Sequence, residues 1–566
     1  MAPQPSTPVA GHALPPANQL FRLCSLFLAL SLAAPAQIRF EDTAAKSNLK
    51  FELHNGAAGK FHQPELMLGG VAVLDYDNDG CMDIFFTNGA AMPSLAKSGP
   101  QYSNRLFRNN CHGQFTDVTE KAGVAGEGYS MGVAVADYDN DGFPDIFVAG
   151  VNRNILYRNR GDGTFADVTQ KARLTGVDPH YGKLWSVSAA WVDIDNDGWL
   201  DLVVGNYVQW DPALEPSCGT PQKPLYCHPS AYRDTPTQLF RNNHDGTFTD
   251  ITQSSGIGTQ TGKGMGVAIG DYDGDGLMDI FIANDSVPNF LFHNLGQEKF
   301  EEVGMLAGVA LNDNGRPVAG MGADFRDYDN DGRPDLVLTA MFNDTYPLFR
   351  NTGKSPAFED ATARSGLAVA TRTLTGWGIG LQDFDNDGWK DIFTANSHFP
   401  ALDQLLAASV ALPNSLLRNQ GNGRFQDVSK TAGADFQLPG QYRGVAFADF
   451  DNDGRLDAVV ANVNGPARLF HNVTPNPGHW LALKLTGTRS NRDGIGATVT
   501  ITLADGRKLY NHSTTSVGYA SSSEPLVRFG FGGQTSVKLV EIRWPAGHVQ
   551  TLRDVPANQI LKVTER

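Results

Sequence analysis

The sequence predicts an all-β chain, a seven-bladed β-propeller over residues 37–475 followed by a small C-terminal β domain over 476–566. Three observations carry this. An acidic pattern, D-x-D-x-D-G-x-x-D, begins at Asp75, Asp137, Asp193, Asp271, Asp327, Asp383 and Asp449, roughly every 60 residues. Around each copy lie four short β-branched and aromatic runs separated by turn residues, which is the pattern of antiparallel strands. The last copy lacks its fourth run, and a matching segment stands near the start of the chain.

Within a unit, the first run is small and apolar, as in "GVAVAD" (132–137) and "GVAIGD" (266–271). The acidic loop follows, then a second run such as "DIFVAG" (145–150) or "DLVVGN" (201–206). A third run, "LFRNN" (106–110) or "LYRNR" (156–160), leads through a turn to a fourth, "FTDVT" (115–119) or "FQDVS" (425–429). Four strands cannot bury both faces of their sheet alone, so the units are expected to stack radially into a closed array. The seventh unit runs through "GVAFAD" (444–449), "DAVVAN" (457–462) and "RLFHN" (468–472) and stops; "IRFEDT" (38–43) supplies its missing strand. Three connections are long: 207–236, rich in proline and aromatics, 311–320, and 397–413, where a short rim helix is expected.

Carboxylates at positions 1, 3 and 5 of a turn converge on one point. Glycine at 6 allows the reversal, position 7 offers a carbonyl, and aspartate at 9 completes an oxygen shell. Such a set suits Ca²⁺, which takes six to eight oxygens, better than zinc or copper. The expected ligands are Asp75, Asp77, Asp79, Cys81 and Asp83; Asp137, Asp139, Asp141, Phe143 and Asp145; Asp193, Asp195, Asp197, Trp199 and Asp201; and Asp271, Asp273, Asp275, Leu277 and Asp279. The remaining loops offer Asp327, Asp329, Asp331, Arg333 and Asp335; Asp383, Asp385, Asp387, Trp389 and Asp391; and Asp449, Asp451, Asp453, Arg455 and Asp457. The seventh position contributes its backbone carbonyl throughout. There is no glutamate at position 12, so these are not EF-hands. Up to seven structural calcium ions are expected, and they would neutralise most of the net charge of −16.

That negative charge argues against a nucleic-acid partner. Residues 1–36 read as an export signal: Arg22, then the apolar "LCSLFLALSLAAPA" (23–36) ending in a small-x-small site. No other segment is a membrane candidate, so the mature chain is expected outside the cell or on its surface, or in a periplasm. In an oxidising compartment Cys81, Cys111, Cys218 and Cys227 favour disulfides, with Cys218–Cys227 and Cys81–Cys111 preferred among three pairings. Asn284, Asn343, Asn472 and Asn511 open N-x-S/T sequons that a eukaryotic pathway could glycosylate.

These acidic repeats resemble the FG-GAP/VCBS repeats of integrin-α-like propellers, which hold calcium between the first two strands of a blade. The chain departs from integrins in carrying a loop in every unit and in lacking conspicuous FG and GAP motifs. In the C-terminal segment, "SNRDGIGATVTI" (490–501), "GYASSSEP" (518–525), "RFGFGG" (528–533) and "IRWPAGHVQ" (542–550) are similar to the ASPIC/UnbV domain. The combination resembles the cartilage acidic protein family. The resemblance implies extracellular calcium binding and adhesion-like interaction, and implies no activity.

No H-E-x-x-H or phosphate-cradling loop is present. His62, His180, His228 and His398 lie in connections where a rim site or an ordinary turn would place them. Trp185, Trp210, Tyr226 and Tyr232 could stack on a ligand or pack the core, and Trp544 reads as core of the terminal domain. The expected function is an extracellular binding or adhesion module for a protein or polysaccharide, not an enzyme. The alternatives are a secreted polysaccharide lyase or hydrolase and a module for cell-surface assembly.

Overall fold

The computed structural model describes residues 37–400 and 409–566. The export signal of 1–36 and the middle of the segment 397–413 where a rim helix is expected, residues 401–408, lie outside the described residues. Within 397–413, the flanks pair with each other and with the next connection, Ser397 with Ala411 and Leu412 with Gly440. No described helix is long and apolar enough to cross a membrane.

Seven four-stranded antiparallel sheets account for residues 40–472. Their inner strands are Val71–Leu74, Tyr129–Ala136, Ser186–Val192, Gly264–Gly270, Gly320–Arg326, Gly376–Gln382 and Tyr442–Ala448. Each inner strand lies against that of the next sheet, and the seventh lies against the first. Among the described residues no sheet closes on itself by hydrogen bonds; the ring closes by packing. The seventh sheet takes its outer strand from the start of the described chain: Phe40–Asp42 runs antiparallel to Arg468–Asn472, with Phe40 opposite Asn472.

Each sheet buries its faces against its neighbours. Leu74 and Phe85 of the first meet Val133, Val135 and Ile146 of the second, and Tyr138 and Phe147 of the second meet Trp191 and Leu202 of the third. Burying one such side chain fully contributes about 1.5–3 kcal/mol, so the inter-sheet seams hold the ring together. The glycine five residues before six of the seven loops reflects crowding at the axis; Ser188 stands there in the third unit. A Cβ on Gly322 would stand 2.3 Å from the Trp377 carbonyl oxygen and 3.0 Å from Gly518.

The C-terminal residues form two further sheets. One joins Trp480–Thr486, Val527–Gly530 and Gln559–Thr564, and the other joins Thr498–Leu503, Lys508–His512, Ser536–Arg543 and Val549–Pro556. They enclose a core of their own that includes Leu483, Ile501, Phe529 and Trp544. Residues 36–566 nevertheless make one compact unit, because a strap from this segment threads the ring.

That strap, residues 512–524, is buried throughout. Its backbone and hydroxyls bond to inner strands of six of the seven sheets. Ser522 exchanges N–H···O bonds with Val71 and Val73, Ala520 accepts from Val133, and Gly518 exchanges bonds with Ala323. Glu524 N–H donates to the Phe447 carbonyl, Ser516 Oγ to that of Val267 at 2.7 Å, and Ala520 N–H to Ser188 Oγ at 3.1 Å. The sixth sheet contributes Trp377, whose ring meets Tyr519 edge-on at 5.2 Å. At the far end the Tyr519 hydroxyl donates to the Met67 carbonyl. The channel of the ring is therefore filled.

Both preferred disulfides are present, Cys81–Cys111 and Cys218–Cys227. Among the sequons Asn343 is exposed, whereas Asn284 and Asn472 are wholly buried and cannot carry a glycan.

Candidate metal centres

All seven acidic loops adopt one geometry between the first and second strands of their sheets. The position-six glycine takes a left-handed conformation, φ 91° at Gly80, and turns its N–H onto the position-one carboxylate, at 3.1 Å from Asp75 and 2.7 Å from Asp137. The other five loops repeat this bond. The N–H of position seven (Cys81, Phe143, Trp199, Leu277, Arg333, Trp389, Arg455) donates to the position-five carboxylate in every copy. The position-nine aspartate accepts two backbone N–H groups. On Asp83 these are Tyr76 at 3.0 Å and Asn109 at 2.7 Å, and its six counterparts do the same.

What the backbone leaves unsatisfied marks the candidate cation site. Asp75 Oδ1 and the position-three Oδ1 atoms of Asp77, Asp139, Asp329, Asp385 and Asp451 are buried without a hydrogen-bond partner. In the first two loops the carboxylates at positions 1, 3 and 9 bring ligand atoms within 4.8 Å of one another. Orphaned buried carboxylate oxygens are costly, and only a cation or a proton can satisfy them together. An all-oxygen donor set fits a hard divalent ion. The convergence of Asp79 with Cys81 and Cys111 is no further site, since the two sulfurs are bonded to each other.

Electrostatics point the same way. Burial, then the Asp493 carboxylate, pushes Asp137 up to about 8. Burial raises Asp193 and Asp449 to about 7, and it also pushes Asp83, Asp145, Asp201, Asp335 and Asp391 well above the ordinary carboxylate value. Without a cation, Asp137 would hold its proton at neutral pH.

Two features were absent from the sequence reading. First, a third-strand arginine already pairs with the outer oxygens of positions 3 and 5. Arg108 reaches Asp77 and Asp79 at 2.6 and 2.8 Å, Arg418 reaches Asp385 at 2.9 Å and also Asp387, and Arg158 and Arg350 repeat the fork. Hence these four loops are less bare than a count of aspartates implies, whereas in the third Arg241 turns to Glu298 at 2.7 Å. In the fourth and seventh loops histidine replaces arginine, and His293 and His471 turn Nδ1 to Asp279 and Asp457 at 3.1 Å. Second, an asparagine follows that residue in all seven copies. Asn109 donates to Met82 of its own loop and to Phe450 of the preceding one, at 3.0 and 2.8 Å, and the other six copies do likewise. A second asparagine, at loop position four, donates to the position-six carbonyl of the next loop in six cases. Asn452 closes the circle on Gly80 at 3.4 Å, and the fourth loop lacks the bond because Gly274 stands there. The signal was available: "RN" or "HN" recurs in every third run, and "DND" in six loops.

The other candidates do not assemble into one site. His180 and His228 bond within their own turns, and His398, held low by burial, meets Thr375 Oγ1 at 2.9 Å. Only His62 meets an acid, Glu215 of the 207–236 insertion, at 3.2 Å. That carboxylate also accepts from Trp210 Nε1 and the Tyr232 hydroxyl, while Tyr226 donates to Glu65 at 2.8 Å. Trp185, Trp210 and Tyr232 are buried there and offer no face to a sugar; the insertion is a packed cover, stapled by its disulfide.

Ring, loops and strap define a β-propeller of acidic-loop repeats. The comparisons agree: residues 75–148, 137–204, 230–282, 271–338, 327–394 and 383–460 match the FG-GAP-like repeat, and 487–566 match ASPIC and UnbV. The chain belongs to the FG-GAP-like repeat proteins and ends in an ASPIC/UnbV segment. Cartilage acidic protein 1 from Mus musculus and from Homo sapiens is 26% identical over 523 residues, 88% of this chain and 73% and 71% of those proteins. Among solved structures, an Agrocybe aegerita lectin recognising non-reducing terminal N-acetylglucosamine is similar at 18% identity and TM-score 0.40, over 70% of this chain and 87% of that one. YCF48 bound to D1 peptide is similar at 10% identity and TM-score 0.40, over 78% and 99%.

Proposed function

We propose that this chain is an extracellular, calcium-stabilised propeller that binds a protein or polysaccharide through its exposed rim and carries out no catalysis. The observation that supports it most is the set of orphaned inner oxygens at Asp75, Asp77, Asp139, Asp329, Asp385 and Asp451 in loops of one geometry. Calcium would be held by carboxylates at positions 1, 3, 5 and 9 with the position-seven carbonyl, and it supplies charge neutralisation there. The two disulfides and the likeness to cartilage acidic protein 1 support placement outside the cell. The filled channel leaves the rim as the surface for a macromolecular partner.

The test is twofold. Metal analysis of the folded, desalted protein should find several calcium ions, and Asp141→Ala should remove at least one of them. Immobilised protein should retain a matrix glycan or protein saturably and unchanged. A metal-free folded protein would sink the calcium reading, and cleavage of the retained partner would replace binding by hydrolysis or elimination.

A further inference from the structure

A cavity of about 310 Å³ lies between the first two acidic loops and the C-terminal strands. Its size is at the lower end of small-ligand sites, roughly 300–1,000 Å³. Three cations from the C-terminal segment line it. Lys484 and Lys562 stand side by side in register on the parallel strands, and Arg492 lies over Gly142 of the second loop. Lys484 Nζ is 3.5 Å from Asp75 Oδ2, but among the described residues neither Arg492 nor Lys562 has a carboxylate within 4.0 Å. These three cations face three aspartates, Asp75, Asp137 and Asp493, so the lining becomes net positive only once cations in the first two loops take up the charge of Asp75 and Asp137.

The acids at the same cavity are each tied in part to backbone N–H groups. Asp75 and Asp137 accept the N–H groups of Gly80 and Gly142 inside their own loops, and Asp493 accepts that of Asp137 at 2.8 Å. The remaining wall is largely aliphatic, from Val73, Val135 and Pro525 among others, with Asn78, Thr486 and Thr515 as its uncharged polar side chains and no aromatic ring. Apolar walls around a few convergent charges are how a small-molecule site fixes both body and head group. Arginine presents a planar fork that a carboxylate meets bidentately.

We propose that this cavity binds a carboxylate carried on a compact aliphatic body, either a small free acid or the C-terminal residue of a peptide. The charge of Lys484, Arg492 and Lys562 receives the carboxylate, and the valine and proline wall receives the body. The proposal rests on the calcium reading, because ions in the first two loops take up the charge of Asp75 and Asp137 that would otherwise repel an anion.

Calorimetric titration of the calcium-loaded full chain tests it, with metal content measured on the same sample. The probes are isovalerate, N-acetyl-Ala-Val, the amide of that dipeptide, and inorganic phosphate. The acids should bind and the amide should not. Tighter binding of the dipeptide identifies a chain terminus; equal or tighter binding of isovalerate identifies a free acid. Arg492→Ala and Lys562→Ala, both at exposed positions, should each weaken binding roughly ten-fold, while Lys538→Ala should leave it unchanged. Binding of the amide, phosphate binding as tight as the acids, or indifference to both substitutions overturns the site. So does a calcium-loaded protein that ignores both acids, and so does acid binding that persists in chelator. A folded protein holding no calcium overturns the calcium reading and this site with it.

Discussion

The acidic loops and the strap through the channel both bury polar groups near the axis, by opposite means. A loop's charge is local: four carboxylates with an arginine or histidine nearby, in a pocket closed by its own strands. The strap carries almost no charge. Its serines, threonines, alanine and glycine spend their backbone and hydroxyl bonds on sheets up to several hundred residues away. Redundancy divides them: a lost loop leaves six others, whereas a lost strap unsatisfies inner strands all round the ring. The loops therefore set the ionic requirements of the protein and the strap sets its cohesion.

The largest effect should come from removing all the ions at once. Excess chelator is expected to lower the melting temperature markedly, and calorimetry with and without calcium measures it. The pH dependence should change with it. Burial raises Asp137 to about 8 and Asp193 and Asp449 to about 7, from an ordinary 3.8. In chelator the folded state thus binds protons more tightly than the unfolded one. The stability this contributes is full below about pH 4 and is lost as pH climbs through 7 to 8. Chelated protein should melt higher at pH 5 than at pH 8, and calcium should flatten the difference. A melt indifferent to chelator at pH 8 would erase the contrast between loops and strap.

Next in size is Tyr519→Ala. Truncating a fully buried aromatic typically costs about 3–5 kcal/mol. Its loss also orphans the Met67 carbonyl and bares Trp377. Denaturant midpoints should fall by a similar amount with and without calcium, at unchanged metal content. Ion loss accompanying the substitution would show loops and strap to be one cooperative unit. The smallest effect is expected from Gly274→Asn. Gly274 stands at φ 81° with open space around it, and asparagine tolerates that region. It should restore the one missing loop-to-loop bond and add about 0.5–1.5 kcal/mol, read as a higher denaturant midpoint. A lower midpoint would mean that the circle of asparagines adds nothing to the seams.

How much was legible follows from repetition. The loops, the strand order and the borrowed strand at Phe40 could be read because seven copies in register make an accidental pattern visible against itself. The disulfides could be read because the four cysteines beyond residue 36 offer few pairings. The asparagine staples were equally repeated but passed unnoticed, since asparagine in a turn-rich chain reads as a turn former. At Asn284 and Asn472 the sequon pattern described chemistry without burial, and burial decides it. The aromatic insertion looked like a binding loop because proline and tryptophan in a long connection suit either exposure or packing; Glu215 and its partners made it a cover.

By itself the sequence determined where the acids converge, which segments pair as strands, and that the first strand completes the last sheet, because each of these depends on residues close in the chain or repeated along it. Tertiary structure alone decided that the C-terminal segment fills the channel, that the inner oxygens stay free while arginines take the outer ones, and that three cations meet at one cavity. The reason is physical: those contacts run between side chains and backbone atoms hundreds of residues apart, and no local period or propensity records which of them will be brought within hydrogen-bond reach.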